Sequence, residues 1–122
     1  MAAVRYFVKD VAASTAFYTR ILGFEIVKDW GPPISILERD GTELWVSGPI
    51  SSAAQPMPDG RKPESGGWNR IVVEVDDIEA KSMELREKGI VFRNEIISGP
   101  GGKQVLIEDP DGNPIEIFEK RK

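Results

Sequence analysis

A short apolar run, Val4-Arg5-Tyr6-Phe7-Val8, broken by one polar residue, gives way to helical spacing between Asp10 and Leu22, and the same switch begins again at Ile71-Val72-Val73-Glu74-Val75. A short apolar run predicts a strand and a 3.6-residue period a helix, so the chain starts one short programme twice. Asp10 stands thirteen residues before Gly23 and Asp77 twelve before Gly89. Each aspartate sits where a short carboxylate caps a first helical turn, and each glycine where a helix end needs a left-handed residue. The remaining apolar runs predict strands over 3–8, 24–29, 35–38 and 42–47 in the first copy, and over 69–75, 91–97, 103–108 and 114–119 in the second. Asp40-Gly41 and Asp111-Gly112 predict matching hairpins near the end of each copy.

The element order is therefore βαβββ twice, an α+β fold of two modules with curved mixed sheets. Two such units, each with an open apolar face, are expected to bury those faces against each other and leave a cleft. The first helix, Val11 to Leu22, carries Val11, Phe17, Tyr18, Ile21 and Leu22 for a sheet; the second, Ile78 to Lys88, is laced with charge. Module one covers 1–48 and module two 68–122, joined by a linker over 49–67. From Gly48 to Gly67, eleven of twenty residues are Gly, Pro or Ser and no period survives. A connection of that length is either a mobile linker or a lid over a binding site.

Composition narrows the classes. With 122 residues the chain is long enough to bury a core without staples, and with no cysteine it has neither a disulfide framework nor thiolate chemistry. No stretch approaches a membrane span and the first residues run directly into a strand, so a soluble cytoplasmic protein is expected. The net charge of −4 and the scattered basic residues argue against nucleic acid as a partner. The absence of histidine removes the common nucleophilic triads.

Val8-Lys9-Asp10-Val11, Ser14 and Phe17-Tyr18-Thr19-Arg20-Ile21-Leu22-Gly23-Phe24, followed by Gly101-Gly102-Lys103-Gln104-Val105 and Glu108-Asp109-Pro110-Asp111-Gly112-Asn113-Pro114-Ile115-Glu116, resemble the vicinal oxygen chelate superfamily. This is the group of glyoxalases, extradiol dioxygenases and bleomycin-resistance proteins. The resemblance spans nearly the whole chain and implies two half-cups around a cavity, often completed in a homodimer. It also implies four metal-ligand positions, which fall here on Ala3, Trp45, Arg70 and Glu116. Alanine has no donor atom, tryptophan offers only an N–H, and arginine is a permanent cation, so only Glu116 suits a metal ion. The usual metal site is expected to be absent.

Arg70 and Glu116 are expected to face one cavity, either as a salt bridge that satisfies both charges or as part of a ligand site. Alternation adds Glu43, Trp45 and Ser47 on one strand, Arg70, Val72 and Glu74 on another, and Glu116 with Phe118 on the last. Trp45 and Phe118 are either core residues or stacking surfaces for a planar ligand, and Trp68, after Gly66-Gly67, is placed to close over it. The reading is a small-molecule binding protein that sequesters an antibiotic or another planar or anionic organic ligand, with no cofactor. The alternative is a lyase, isomerase or oxygenase. It would use Glu116 in metal-free acid–base catalysis, or Mg²⁺ or Mn²⁺ in an all-oxygen site of Glu43 and Glu116 with Gln104 or Glu74. A third class is an interaction protein whose core is filled.

Overall fold

In the computed structural model, which describes residues 1–122, each helix begins at its capping carboxylate. Asp10 accepts the Ala13 N–H at 3.1 Å and opens α1 (Val11–Leu22). Asp77 accepts the Ala80 N–H at 3.1 Å and opens α2 (Ile78–Glu87). Gly23 adopts φ 73°, and the Phe24 N–H then returns to the Tyr18 carbonyl at 3.0 Å, ending α1. That bond takes Phe24 out of the following strand, which starts one residue later than predicted. No helix is long and apolar enough to cross a membrane.

Met1–Gly66 forms one compact unit. It contains β1 (Ala3–Phe7), β2 (Glu25–Asp29), β3 (Ile34–Arg39) and β4 (Thr42–Ser47), ordered β1-β4-β3-β2. β1 runs parallel to β4 and the other pairs are antiparallel, so the sheet is mixed. Leu37, Leu44 and Val46 are fully buried along with Tyr18 of α1, whose ring meets the edges of Tyr6 at 6.4 Å and Phe24 at 5.6 Å. Asp40 and Gly41, at φ 51° and 83°, make the two-residue turn that the Asp-Gly pair predicts. Residues 49–66 belong to this unit; Ser52–Ala54 forms a single 3₁₀ turn, and the buried Ser51 hydroxyl donates to the Gly48 carbonyl at 2.7 Å.

Gly67–Lys122 forms the second unit. Its strands β5 (Ile71–Glu74), β6 (Ile97–Gly99), β7 (Gly102–Glu108) and β8 (Pro114–Lys120) are ordered β5-β8-β7-β6, again with one parallel pair, β5 with β8. Ile115, Ile117, Val105 and Ile107 are fully buried with Ile78 and Leu85 of α2. Both units are thus mixed four-stranded sheets backed by one helix, the predicted α+β architecture.

Three predicted details change. The strand expected over 91–97 is not regular: Phe92 makes an isolated bridge to Ile107, and Asn94 Oδ1 accepts the Leu106 N–H at 2.9 Å, so a side chain replaces a ladder carbonyl. Regular pairing resumes only at Ile97. Arg70 precedes β5, because the register pairs Ile71 with Ile115 and the preceding Pro114 has no N–H to extend the ladder. The second Asp-Gly is no two-residue hairpin. Asp109, 5% exposed, accepts the N–H groups of Asp111 and Asn113 at 2.9 Å and the Asn113 side-chain amide at 3.0 Å, closing a wider loop that Pro110 enters.

Candidate functional site

Period-two alternation fixes what each sheet presents away from its helix. In the first unit Leu44 and Val46 turn into the core, so Glu43, Trp45 and Ser47 share the opposite face. The register sets Ala3 beside Glu43, Arg5 beside Trp45 and Phe7 beside Ser47, with Ile36 on the other flank of Trp45. The Trp45 indole N–H donates to Glu43 Oε1 at 3.0 Å, and the Arg5 guanidinium lies 5.2 Å from the Trp45 ring centre. Arg5 also reaches the Ser47 hydroxyl at 3.4 Å. The sequence singled out Glu43 and Trp45 but not Arg5, although alternation from Ala3 places Arg5 on that face.

In the second unit Ile115 and Ile117 turn to the core, leaving Glu116 and Phe118 on the other face, opposite Leu106 and Gln104 of β7. Glu116 is 8% exposed and its Oε1 accepts from Arg70 Nε at 3.0 Å and Nη2 at 2.7 Å. Arg70 Nη1 donates to the Trp68 carbonyl at 3.2 Å, so Trp68, Arg70 and Glu116 are brought together. The Trp68 ring is 68% exposed and lies 4.7 Å from the Arg93 guanidinium. Arg93 in turn donates to Glu108 at 2.8 Å and to the Gly67 and Gly112 carbonyls at 2.7 and 2.9 Å. Sequence reasoning missed Arg93, because its partners are distant in the chain and no local pattern announces them. Phe118 is half-buried two residues from Glu116 on the same strand face. Glu43 and Trp45 belong to the first unit and the other four candidates to the second.

The residues at the implied metal positions do not fit a metal ion. Ala3 offers no donor, the Trp45 N–H is given to Glu43, and Arg70 occupies the carboxylate of Glu116 with a fixed positive charge. Within the all-oxygen alternative, Glu43 holds the Trp45 N–H, Glu74 lies 3.6 Å from Lys120 Nζ, and Gln104 registers against Phe118. A different carboxylate group, which the sequence did not single out, has the reach to share a cation: ligand atoms of Asp77, Glu79 and Glu119 lie within 4.8 Å of one another. Each already has a donor, Asp77 the Ala80 N–H, Glu119 the Ile78 N–H at 2.9 Å, and Glu79 the Lys103 ammonium at 2.7 Å. The Lys103 hydrogen bond holds the Glu79 carboxyl below its ordinary value and raises Lys103 in return.

Residues 1–117 match the family model of the Glyoxalase/Bleomycin resistance protein/Dioxygenase superfamily. The chain belongs to that superfamily. Among curated relatives, the uncharacterized protein YurT of Bacillus subtilis is 31% identical over 121 residues, covering 93% of this chain and 94% of the relative. The mitochondrial methylmalonyl-CoA epimerase of Bos taurus is 28% identical over 109 residues, which is 84% of this chain but only 62% of the length of the epimerase. Among solved structures, a superfamily member from Sphaerobacter thermophilus superposes with a TM-score of 0.76 at 26% identity, over 98% of this chain and 97% of that one. TnmS3, an antibiotic binding protein from Streptomyces sp. CB03234, shares the fold at a TM-score of 0.70 and 22% identity, over 99% and 97% of the two chains. The chain is thus similar in sequence to an epimerase and in fold to an antibiotic binding protein, and the side chains decide between such roles.

Proposed function

We propose that this chain is a metal-independent, small-molecule binding member of the superfamily, of the bleomycin-resistance type, which sequesters a planar or anionic organic ligand. The Arg70–Glu116 pair carries the reading. It fills the one implied ligand position that has a suitable oxygen with a guanidinium that no divalent ion can approach without repulsion. Trp68 and the half-buried Trp45 and Phe118 supply the aromatic surface such a ligand needs. The shared fold with an antibiotic binding protein supports the same reading. A homodimer belongs to it as well: β2 is an edge strand exposed along its length, with Ile26 and Val27 half-exposed on it, and pairing of copies would cover such an edge.

The similarity to methylmalonyl-CoA epimerase favours a second reading, an isomerase or lyase in which Glu116 moves a proton. Elemental analysis of protein purified without chelators tests the metal independence of the binding reading, and Glu116-dependent exchange of a ligand C–H proton with D₂O would identify the isomerase. The binding reading expects substoichiometric divalent metal and saturable uptake of planar organic acids that is indifferent to EDTA. A stoichiometric ion that disappears in Glu116→Gln would overturn it in favour of the enzyme.

A further inference from the structure

We infer that the first unit holds a binding site for a small organic carboxylate at the C-terminal ends of β1 and β4, with Arg5 as the residue that pairs the anion. The inference rests on the proposed binding function and names the ligand class and the cation that selects it. An accounting of guanidinium donors leads to it. Arg70 spends Nε, Nη1 and Nη2 on Glu116 and the Trp68 carbonyl, and Arg93 spends the same three nitrogens on Glu108, Gly67 and Gly112. Arg5 makes one long hydrogen bond, 3.4 Å to Ser47 Oγ, and no ion pair. With five N–H donors in a planar fork, it keeps the edge that a carboxylate takes bidentately.

Ser47 links this cation to a cavity. A hollow of about 400 Å³, within the range of small-molecule sites, is lined by the strand-end residues Phe7 and Ser47 and by Ala54 and Pro63 of the segment that follows β4, with Lys9 and Glu64 as charged lining residues. Phe7 and Ser47 are register partners on the sheet face that also carries Arg5 and Trp45. Arg5 lies outside that lining and touches it through Ser47, so a ligand with its apolar body in the hollow reaches Arg5 by extending its anionic end past Ser47 along that face. Trp45 beneath the guanidinium holds the fork in place. The larger hollow of about 620 Å³ is less suited: its Lys103 and Lys120 face Glu79 and Glu74, Arg121 is tied to the Gly99 and Pro100 carbonyls, and its remaining cation, Lys122, is an exposed point charge rather than a guanidinium fork.

The test titrates the full-length protein with 1-naphthoate and, separately, with the neutral 1-naphthamide, following ¹⁵N–¹H correlation spectra. The expected result is saturable shifts at Phe7, Ser47, Ala54 and the Trp45 indole, with the carboxylate bound about tenfold or more tightly than the amide. Arg5→Gln is expected to abolish that preference and Arg5→Lys to retain part of it, since a point charge replaces a bidentate fork. If Arg5→Gln fails to fold, the carboxylate-to-amide ratio of the unmodified protein and the Arg5→Lys variant decide. An equal ratio in the unmodified protein, or an unchanged one in a folded Arg5→Gln, overturns the inference. Shifts confined to 67–122 would overturn it and leave the binding function standing. No saturable shift with either probe would overturn it too, and the proposed function would then be judged separately by metal content.

Discussion

Glu116 is the residue on which most depends, because it is a carboxylate at 8% exposure whose charge is met by one guanidinium. Arg70→Ala strands that charge and is expected to cost about 2–4 kcal/mol in urea unfolding, whereas the double change Arg70→Met with Glu116→Leu recovers most of the loss. An equal loss in the double variant would mean that packing, not charge, is what Arg70 contributes. Ser82 presents the opposite case. Its hydroxyl is buried on α2 without a hydrogen-bond partner, so Ser82→Ala is expected to raise stability by about 0.5–1 kcal/mol. The types and faces of Trp45, Glu43, Phe118 and Glu116 were legible by alternation alone. The place of Arg93 was not, because three of its partners lie 15 to 26 residues away.

Elements were legible where their limits are set locally. Asp10 and Asp77 cap their helices through N–H groups three residues on, which any reading of the sequence can reach. Asp77→Ala is expected to cost about 1 kcal/mol and to raise amide exchange in the first turn of α2. The second cap is reinforced from outside, since Glu119 of β8 accepts the Ile78 N–H, and Glu79 of α2 pairs with Lys103 of β7. Because Glu79 titrates below its ordinary value of 4.5, its contribution is present above that range and is lost as pH falls through the lowered value. Lys103, raised above 10.5, contributes below its ordinary range until pH rises through the raised value. Glu79→Gln should therefore lower the melting temperature at neutral pH and leave it unchanged in strong acid. An equal decrease at both pH values would exclude the ion pair as the cause. The strand predicted over 91–97 failed for the contrary reason: the Asn94 bond that breaks it goes to Leu106, twelve residues away.

At the scale of the molecule, the two compact units meet the chain boundary at Gly66 and Gly67, both at positive φ. Backbone bonds between Ser51 and Arg61 are few and short in range, while β4 and β8 are each paired on both sides. Hydrogen exchange is expected to be fastest over 56–70 and slowest in β4 and β8, and limited trypsin to cut first after Arg61, since Pro63 blocks cleavage after Lys62. Protection over 56–70 equal to that of β4 would refute this. The sequence by itself determined two βαβββ programmes, their caps and the faces of their strands, because periodicity and capping are properties of neighbours in the chain. Only the tertiary structure decided that Arg70 closes on Glu116, that Arg93 is fully engaged, and that Arg5 keeps most of its donors. Those outcomes depend on hydrogen-bond partners that pairing of distant strands brings within reach, and no local pattern encodes them.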